Sequence, residues 1–236
     1  ISFSNGGMLS PTGRCKTFDE DADGYVRGEG VGVICVKNLK KALEDNDKIY
    51  AVIRGTEINH GGYSSSLTAP NPNSQSELIS RAYINANIPP ETVSYIETHG
   101  TGTKLGDPVE ISGLKKAFNK LHNHFHKNKD FKYSCGLGSV KTNAGHLEAA
   151  AGIAGLTKII LSMKHNIIPG NLHFNKLNSF IELSNSPFFI VNKNISWNDL
   201  CEKNNQKIKR AGLCSYGYGG AGAHAIIEEF IPRTDI

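Results

Sequence analysis

The chain has 236 residues, 39% hydrophobic and 20% charged, with a net charge of +4. These proportions are ordinary for a soluble globular protein of one or two domains with a sizeable core. No run approaches the roughly 18 apolar residues of a membrane span, and the Lys and Arg are spread along the chain, unlike the basic stripe of a nucleic-acid binder.

Ile1-Ser2-Phe3 lacks an initiator methionine and the charged and apolar regions of a secretory signal, so an internal piece of a longer polypeptide is expected. The apolar run 31–36 reads as a buried strand and 39–45 as a short helix. A second strand starts at 50–55. Residues 59–73 form a long loop rich in Gly, Ser, Pro and Asn, in which Tyr63 and Ser64 to Ser66 are open between a pocket and solvent. Helical spacing covers 76–87, and 93–97 is a strand. Asp107-Pro108 reads as an N-cap with proline at the first helical position, leading a helix to Phe118. Residues 121–132 read as a basic, His-rich surface loop and 137–140 as a strand. His146 opens a helix to Met163 that is apolar on most sides and therefore buried. Strands at 188–191 and 223–229 complete an alternating α/β pattern.

Five cysteines, an odd number without paired spacing, argue for a reducing cytosol and against a disulfide framework. Cys35 lies in the apolar run, Cys15, Cys135 and Cys214 precede loops, and Cys201 sits in a polar stretch. None occupies the small-residue turn entering a helix that would lower a thiol pKa and make it a nucleophile. The basic residues 203–210 read as a solvated loop; the sign would otherwise suit an acidic partner.

The candidate chemistry sits in Glu97-Thr98-His99-Gly100-Thr101-Gly102-Thr103 and in Gly138-Ser139-Val140-Lys141-Thr142-Asn143-Ala144-Gly145-His146. Each follows a strand-like run and presents an imidazole from a glycine-flexed turn. Two such imidazoles can donate hydrogen bonds to one carbonyl oxygen as negative charge builds on it. A helix start and Lys141 nearby would both hold His146 neutral. The plainer reading, a histidine capping a buried helix, weakens in the company of His99. Gly217-Tyr218-Gly219-Gly220-Ala221-Gly222 fits a dinucleotide pattern, but a strand-like Ala225-Ile226-Ile227 follows it where a helix is needed. His122, His124 and His126 would align only on a strand, so no metal site is expected there.

These segments together resemble the carboxy-terminal half of a β-ketoacyl synthase, the condensing domain of fatty-acid and polyketide synthases. The likeness runs from Gly13-Arg14-Cys15-Lys16-Thr17-Phe18-Asp19 and Asp23-Gly24-Tyr25-Val26-Arg27-Gly28-Glu29-Gly30 to Ser215-Tyr216-Gly217-Tyr218-Gly219-Gly220. Between them lie the His99 motif with Gly106-Asp107-Pro108-Val109-Glu110, then the segment 141–152. The resemblance implies half of a thiolase-like α/β sandwich. It divides the chain into the end of the amino-terminal half (1–48), the carboxy-terminal half (49–167), and an extension carrying the glycine loop (168–236).

Asn59-His60-Gly61-Gly62, Ala69-Pro70-Asn71-Pro72-Asn73 and the segment 151–158 resemble modular polyketide synthases that recruit their acyltransferase in trans. The implied reaction is a decarboxylative Claisen condensation of an acyl thioester with malonyl on the phosphopantetheine of an acyl carrier protein. It implies no bound cofactor or metal, a homodimer when complete, and a cytoplasmic setting. His99 and His146 would hold the malonyl thioester oxygen, with Lys141 as the third catalytic residue. Thr101 and Thr103 would bond the pantetheine arm, and Glu110 with Lys141 would order the site. Tyr218, beside Gly219, would complete an oxyanion hole with its backbone N–H and gate the acyl pocket with its side chain. The nucleophilic cysteine would lie outside this sequence, leaving the chain alone inactive. The family's Thr-Asn or Ser-Asn pair after the last glycine is Ala221-Gly222 here, which is expected to loosen that loop. A rival reading is a non-catalytic ketosynthase fragment that pairs with a carrier protein or another subunit.

Overall fold

The structure, a computed structural model, describes residues 2–63, 70–126 and 132–232. In chain order its elements are α1 (Ser2–Asn5), α2 (Leu39–Glu44), β1 (Ala51–His60), α3 (Pro72–Asn85), β2 (Tyr95–Glu97) and α4 (Gly106–Phe125). There follow β3 (Cys135–Gly138), α5 (Lys141–Ala144), α6 (Ala151–His165), β4 (Ile167–Ile168), β5 (Phe188–Ile190), β6 (Ile195–Ser196), α7 (Trp197–Lys203), β7 (Arg210–Tyr216) and β8 (Ala221–Glu229). Six strands make one mixed sheet in the order β1-β8-β7-β2-β3-β5. The β1-β8-β7 side is antiparallel, and β7-β2-β3-β5 is parallel.

Both sheet faces are covered, as the period of two in each strand requires. Ile96, Leu137, Cys214 and Ile226 face one core, filled by Ile79, Ala82 and Tyr83 of α3 and by Leu114, Phe118 and Leu121 of α4. Tyr95, Ala211 and Ile227 face the other, filled by Leu156, Ile159 and Met163 of α6 and by Trp197 and Leu200 of α7. This is the layered α/β architecture expected of a thiolase-like half.

α3 starts where the Asn71 side chain accepts from the N–H groups of Asn73 and Ser74, with Pro72 in the first turn. α4 differs from its sequence reading at both ends. Asp107 does not cap it: the carboxylate turns inward and accepts from Phe18 N and Gly102 N at 2.8 and 3.1 Å. Nor does the helix stop at Phe118. Leu114, Ala117, Phe118 and Leu121 keep a helical stripe in the core, so 121–125 is helix and not loop. Full burial of a leucine side chain is worth about 1.5–3 kcal/mol, enough to carry another turn. The rest of the expected loop, 127–131, lies outside the described residues, as do 64–69 with Ser64 to Ser66 and Ala69; Tyr63 faces solvent.

Three further expectations are corrected. Residues 31–36 form no strand, and Val31 and Val33 are each 93% exposed. A continuous apolar run becomes a buried strand only beside partner strands, and none of the described strands pairs with it. Cys35 is accordingly exposed. His146 does not open the long helix: a bridge to Arg27, then a 3-10 turn at Glu148–Ala150, separate it from α6. That helix is buried on one side only; Leu161 is exposed. Finally, Lys209 and Arg210 are not loop residues in solvent. Arg210 starts β7, and the two pair with Glu229 and Glu228.

Candidate active site

β2 lies between β7 and β3 and ends at Glu97. Thr98 continues its register through N to Gly138 O at 2.8 Å, and the chain then turns sharply at Gly100, with φ +40°. A Cβ on Gly100 would stand 2.7 Å from Thr17 Cγ2 and from Thr98 Oγ1, so glycine is required there on two counts. The turn is pinned from α4. Glu110 accepts from His99 N at 2.7 Å and Gly100 N at 2.8 Å, while Asp107 takes Gly102 N. Burial pushes the Glu110 carboxyl up to about 7 and that of Asp107 up to about 6, against these N–H donors. Glu110 thus orders the turn from behind.

The His99 ring accepts from Tyr216 N at Nδ1, 3.3 Å, so its single neutral-state proton sits on Nε2. Burial, then the Lys141 cation, holds its pKa well below the usual imidazole value.

His146 reaches the same place from β3. After the short α5, Gly145 at φ +76° reverses the chain, and His146 N donates to Val26 O at 2.7 Å. Its Nδ1 accepts from Glu148 N at 2.9 Å, so this ring too carries its proton on Nε2. The ring centroids of His99 and His146 are 5.3 Å apart at 83°. Burial lowers the His146 pKa to about 4, with Lys141 and Arg27 adding to the shift. The cause differs from the one read in the sequence: Lys141 contributes as expected, but burial leads and α6 begins only at Ala151.

Lys141 is buried, its own pKa lowered by burial against the pull of Glu97 and Glu110. Glu97 takes Tyr95 Oη at 2.6 Å, Val140 N, and Lys158 Nζ at 2.9 Å. Thr101 and Thr103 are half-buried with their hydroxyls 3.2 Å apart. Tyr218 and Gly219 stand at the exposed tip of the β7–β8 hairpin, where Tyr218 packs edge-on against Phe3 at 5.5 Å. Residues 217–220 join two antiparallel strands, so the glycine pattern lacks the strand-to-helix turn of a dinucleotide site.

Ala221 and Gly222 lie in β8 and not in the loop. A Cβ on Gly222 would meet Asn59 Oδ1 at 2.7 Å, and Asn59 Nδ2 already donates to Ser74 O and Oγ. Asn59 fills the space a residue-222 side chain would use. Gly222→Asn is expected to cost about 1–3 kcal/mol by overpacking, read as a lowered thermal midpoint. A raised midpoint would show that Asn59 gives way.

Several neighbours escaped the sequence reading. Tyr216 fixes the His99 tautomer through a backbone N–H, which has no side-chain signature. Tyr25 stacks 5.0 Å from His146 and donates to Glu148, which also pairs with Arg27. These three lie within or beside the motifs that carry the resemblance and could have been singled out there. Among the cysteines, burial pushes the thiols of Cys15, Cys135, Cys201 and Cys214 up. Cys214 lies within β7, shortly before its hairpin, and Cys201 is buried within the polar α7. His122 and His124 are helical, and His126 pairs with Glu91 at 2.8 Å. Among the described residues no helix is long and apolar enough to cross a membrane.

Two family models match the chain. Beta-ketoacyl synthase, C-terminal domain, covers residues 50–175, and beta-ketoacyl synthase, N-terminal domain, covers 1–42. Polyketide synthase PksN of Bacillus subtilis is 52% identical over 235 residues, which is 99% of this chain and 4% of that protein. Polyketide synthase PksR of the same organism is 42% identical over 233 residues, covering 98% of this chain and 9% of its own length. The ketosynthase from module 6 of the bacillaene synthase of Bacillus subtilis superposes with a TM-score of 0.89 at 42% identity. That match covers 98% of this chain and 39% of that one. The chain therefore spans well under half of a ketosynthase and less than a tenth of either synthase. With both domain models matched in order and the paired imidazoles in place, the chain belongs to the β-ketoacyl synthase family, among the ketosynthases of polyketide synthases.

Proposed function

We propose that the chain forms the decarboxylating half of a ketosynthase that extends an acyl chain by decarboxylative Claisen condensation. The observation that carries this is the pair of adjacent imidazoles, His146 buried and His99 half-buried, each with Nδ1 taken by a backbone N–H and so left with Nε2–H to donate. A malonyl thioester that loses carbon dioxide leaves its bonding electrons on the α-carbon and the thioester oxygen. Two fixed donors at that oxygen stabilise the charge as it forms, without reorganising. The carbanion then attacks an acyl group on a cysteine, and the thiolate leaves. Burial, aided by the Lys141 cation, keeps both rings neutral, and Glu110 with Asp107 holds the His99 turn.

The cysteine comes from the remainder of the ketosynthase, since burial pushes four of this chain's thiols away from ionisation and Cys35 lies in an extended, exposed run. Both acyl and malonyl groups arrive on the phosphopantetheine of an acyl carrier protein, which Thr101 and Thr103 bond along its arm. Tyr218 and Gly219 border the acyl site. The complete enzyme is a cytoplasmic homodimer of the trans-acyltransferase class, in which residues 1–48 end one half, 49–167 build the other, and 168–236 close it.

The test uses the chain alone, incubated with an acyl-pantetheine thioester and read by mass spectrometry. No cysteine is expected to be acylated stoichiometrically, and the exposed apolar run 31–36 should make the sample associate. Full acylation of one cysteine in a soluble monomer would overturn the assignment.

The pH dependence gives a second test. A pKa of about 4 keeps His146 neutral through the range in which an ordinary histidine, near 6.5, gains its proton. On protonation Nδ1 becomes a donor and repels Glu148 N–H, so the geometry is lost as pH falls through about 4 and kept above it. The ring signals of His146 in the complete domain, followed by NMR, should show no titration between pH 7 and about 5. A ring midpoint near 6.5 would show an imidazole titrating unshielded.

A further inference from the structure

His60 ends β1 and reaches the tip of the β7–β8 hairpin. Gly62 N donates to its Nδ1 at 3.0 Å, and its Nε2 lies 2.9 Å from Gly219 O. The nitrogen that accepts an N–H is the bare one, so Nε2–H donates to the Gly219 carbonyl. Next to it, Gly61 N donates to Gly220 O at 2.7 Å. Two successive carbonyls of the tip are thus held by two successive residues at the end of β1.

Those residues are themselves held from α3. Ser74 Oγ donates to His60 O at 3.0 Å, and Asn71 Nδ2 donates to Gly61 O at 2.9 Å. Within the hairpin the tip has only the backbone bonds Gly217 N to Ala221 O and Gly220 N to Gly217 O. Three of its four residues are glycine, the residue with most freedom to lose. Tyr218 is 52% exposed. The base of the hairpin is different: Tyr216 is paired in the sheet with Gly222, so its N–H to His99 does not depend on the tip.

We propose that His60 is a positioning residue: its hydrogen bond to Gly219 fixes the glycine hairpin, and through it Tyr218, against the acyl group being loaded. This rests on the ketosynthase reading of the site. On that reading two effects separate, the tip serving the acyl group and the histidines at the base the malonyl oxygen.

The experiment compares His60→Ala, His60→Gln and His146→Ala in the complete ketosynthase, measuring acyl loading from an acyl-pantetheine thioester and malonyl decarboxylation separately. His60→Ala should raise the KM of loading about tenfold, the size of one lost hydrogen bond, with kcat and decarboxylation within about threefold. His60→Gln places an amide N–H where Nε2–H lies and should restore the parent KM. His146→Ala should show the reverse pattern, decarboxylation lost and loading kept. A parental loading KM in His60→Ala overturns the proposal, as does joint loss of loading and decarboxylation, or a Gln variant that fails to restore KM. If His146→Ala spares decarboxylation, the reading of the site falls, while the loading KM of His60→Ala still decides the role of His60.

Discussion

His146→Ala in the complete ketosynthase is expected to slow malonyl decarboxylation about 100- to 1000-fold while acyl loading on the cysteine is largely kept. That range is the cost of one well-placed donor to an oxyanion, about 2.7–4 kcal/mol of transition-state stabilisation. The donor in question is Nε2–H, presented because Glu148 N occupies Nδ1. His99→Ala should behave alike, since Tyr216 N occupies its Nδ1 in the same way. The split between the two half-reactions separates a lost donor from a damaged fold. A His146→Ala enzyme that decarboxylates within about threefold of the parent would sink the role assigned to it.

The second large effect lies behind the site. Glu97→Ala should destabilise the domain by about 3–5 kcal/mol, because it strands Lys158 as an uncompensated, nearly buried charge. It also removes the acceptor of Tyr95 Oη and Val140 N. Urea unfolding of the complete domain measures this. Adding Lys158→Met should recover part of the loss, since the stranded charge goes with it. A Glu97→Ala domain within about 1 kcal/mol of the parent would mean that water reaches Lys158 and pairs with it.

The parts of the site carried by side-chain pattern were legible in the sequence. The strand end before His99, the glycine turns and the proximity of Lys141 to His146 appear where expected, while the strand before His146 runs Cys135–Gly138 and not to Val140. What was not legible depends on partners distant in the chain. β7 went unread because Gly212, Cys214 and Ser215 interrupt its apolar character; it is a strand through pairing with β2 and β8. Asp107 looks like a cap locally, yet its partner Phe18 lies far earlier in the chain. The run 31–36 shows the converse failure, a correct strand pattern without neighbours to pair with. The tautomers of His99 and His146 are set by backbone N–H groups, which every residue but proline supplies and no sequence pattern marks.

Those tautomers bear on how the cleft meets reagents other than its substrate. A neutral imidazole captures a metal ion or an electrophile through its unprotonated nitrogen. In both rings that nitrogen is already taken by a backbone N–H. To chelate zinc or be acylated in the cleft, either ring would first have to surrender a partly buried hydrogen bond and move its proton. Two histidines side by side, an arrangement that elsewhere invites metals, are here a poor chelator and a poor nucleophile. The same capping that readies the site to meet an anion leaves it inert to cations.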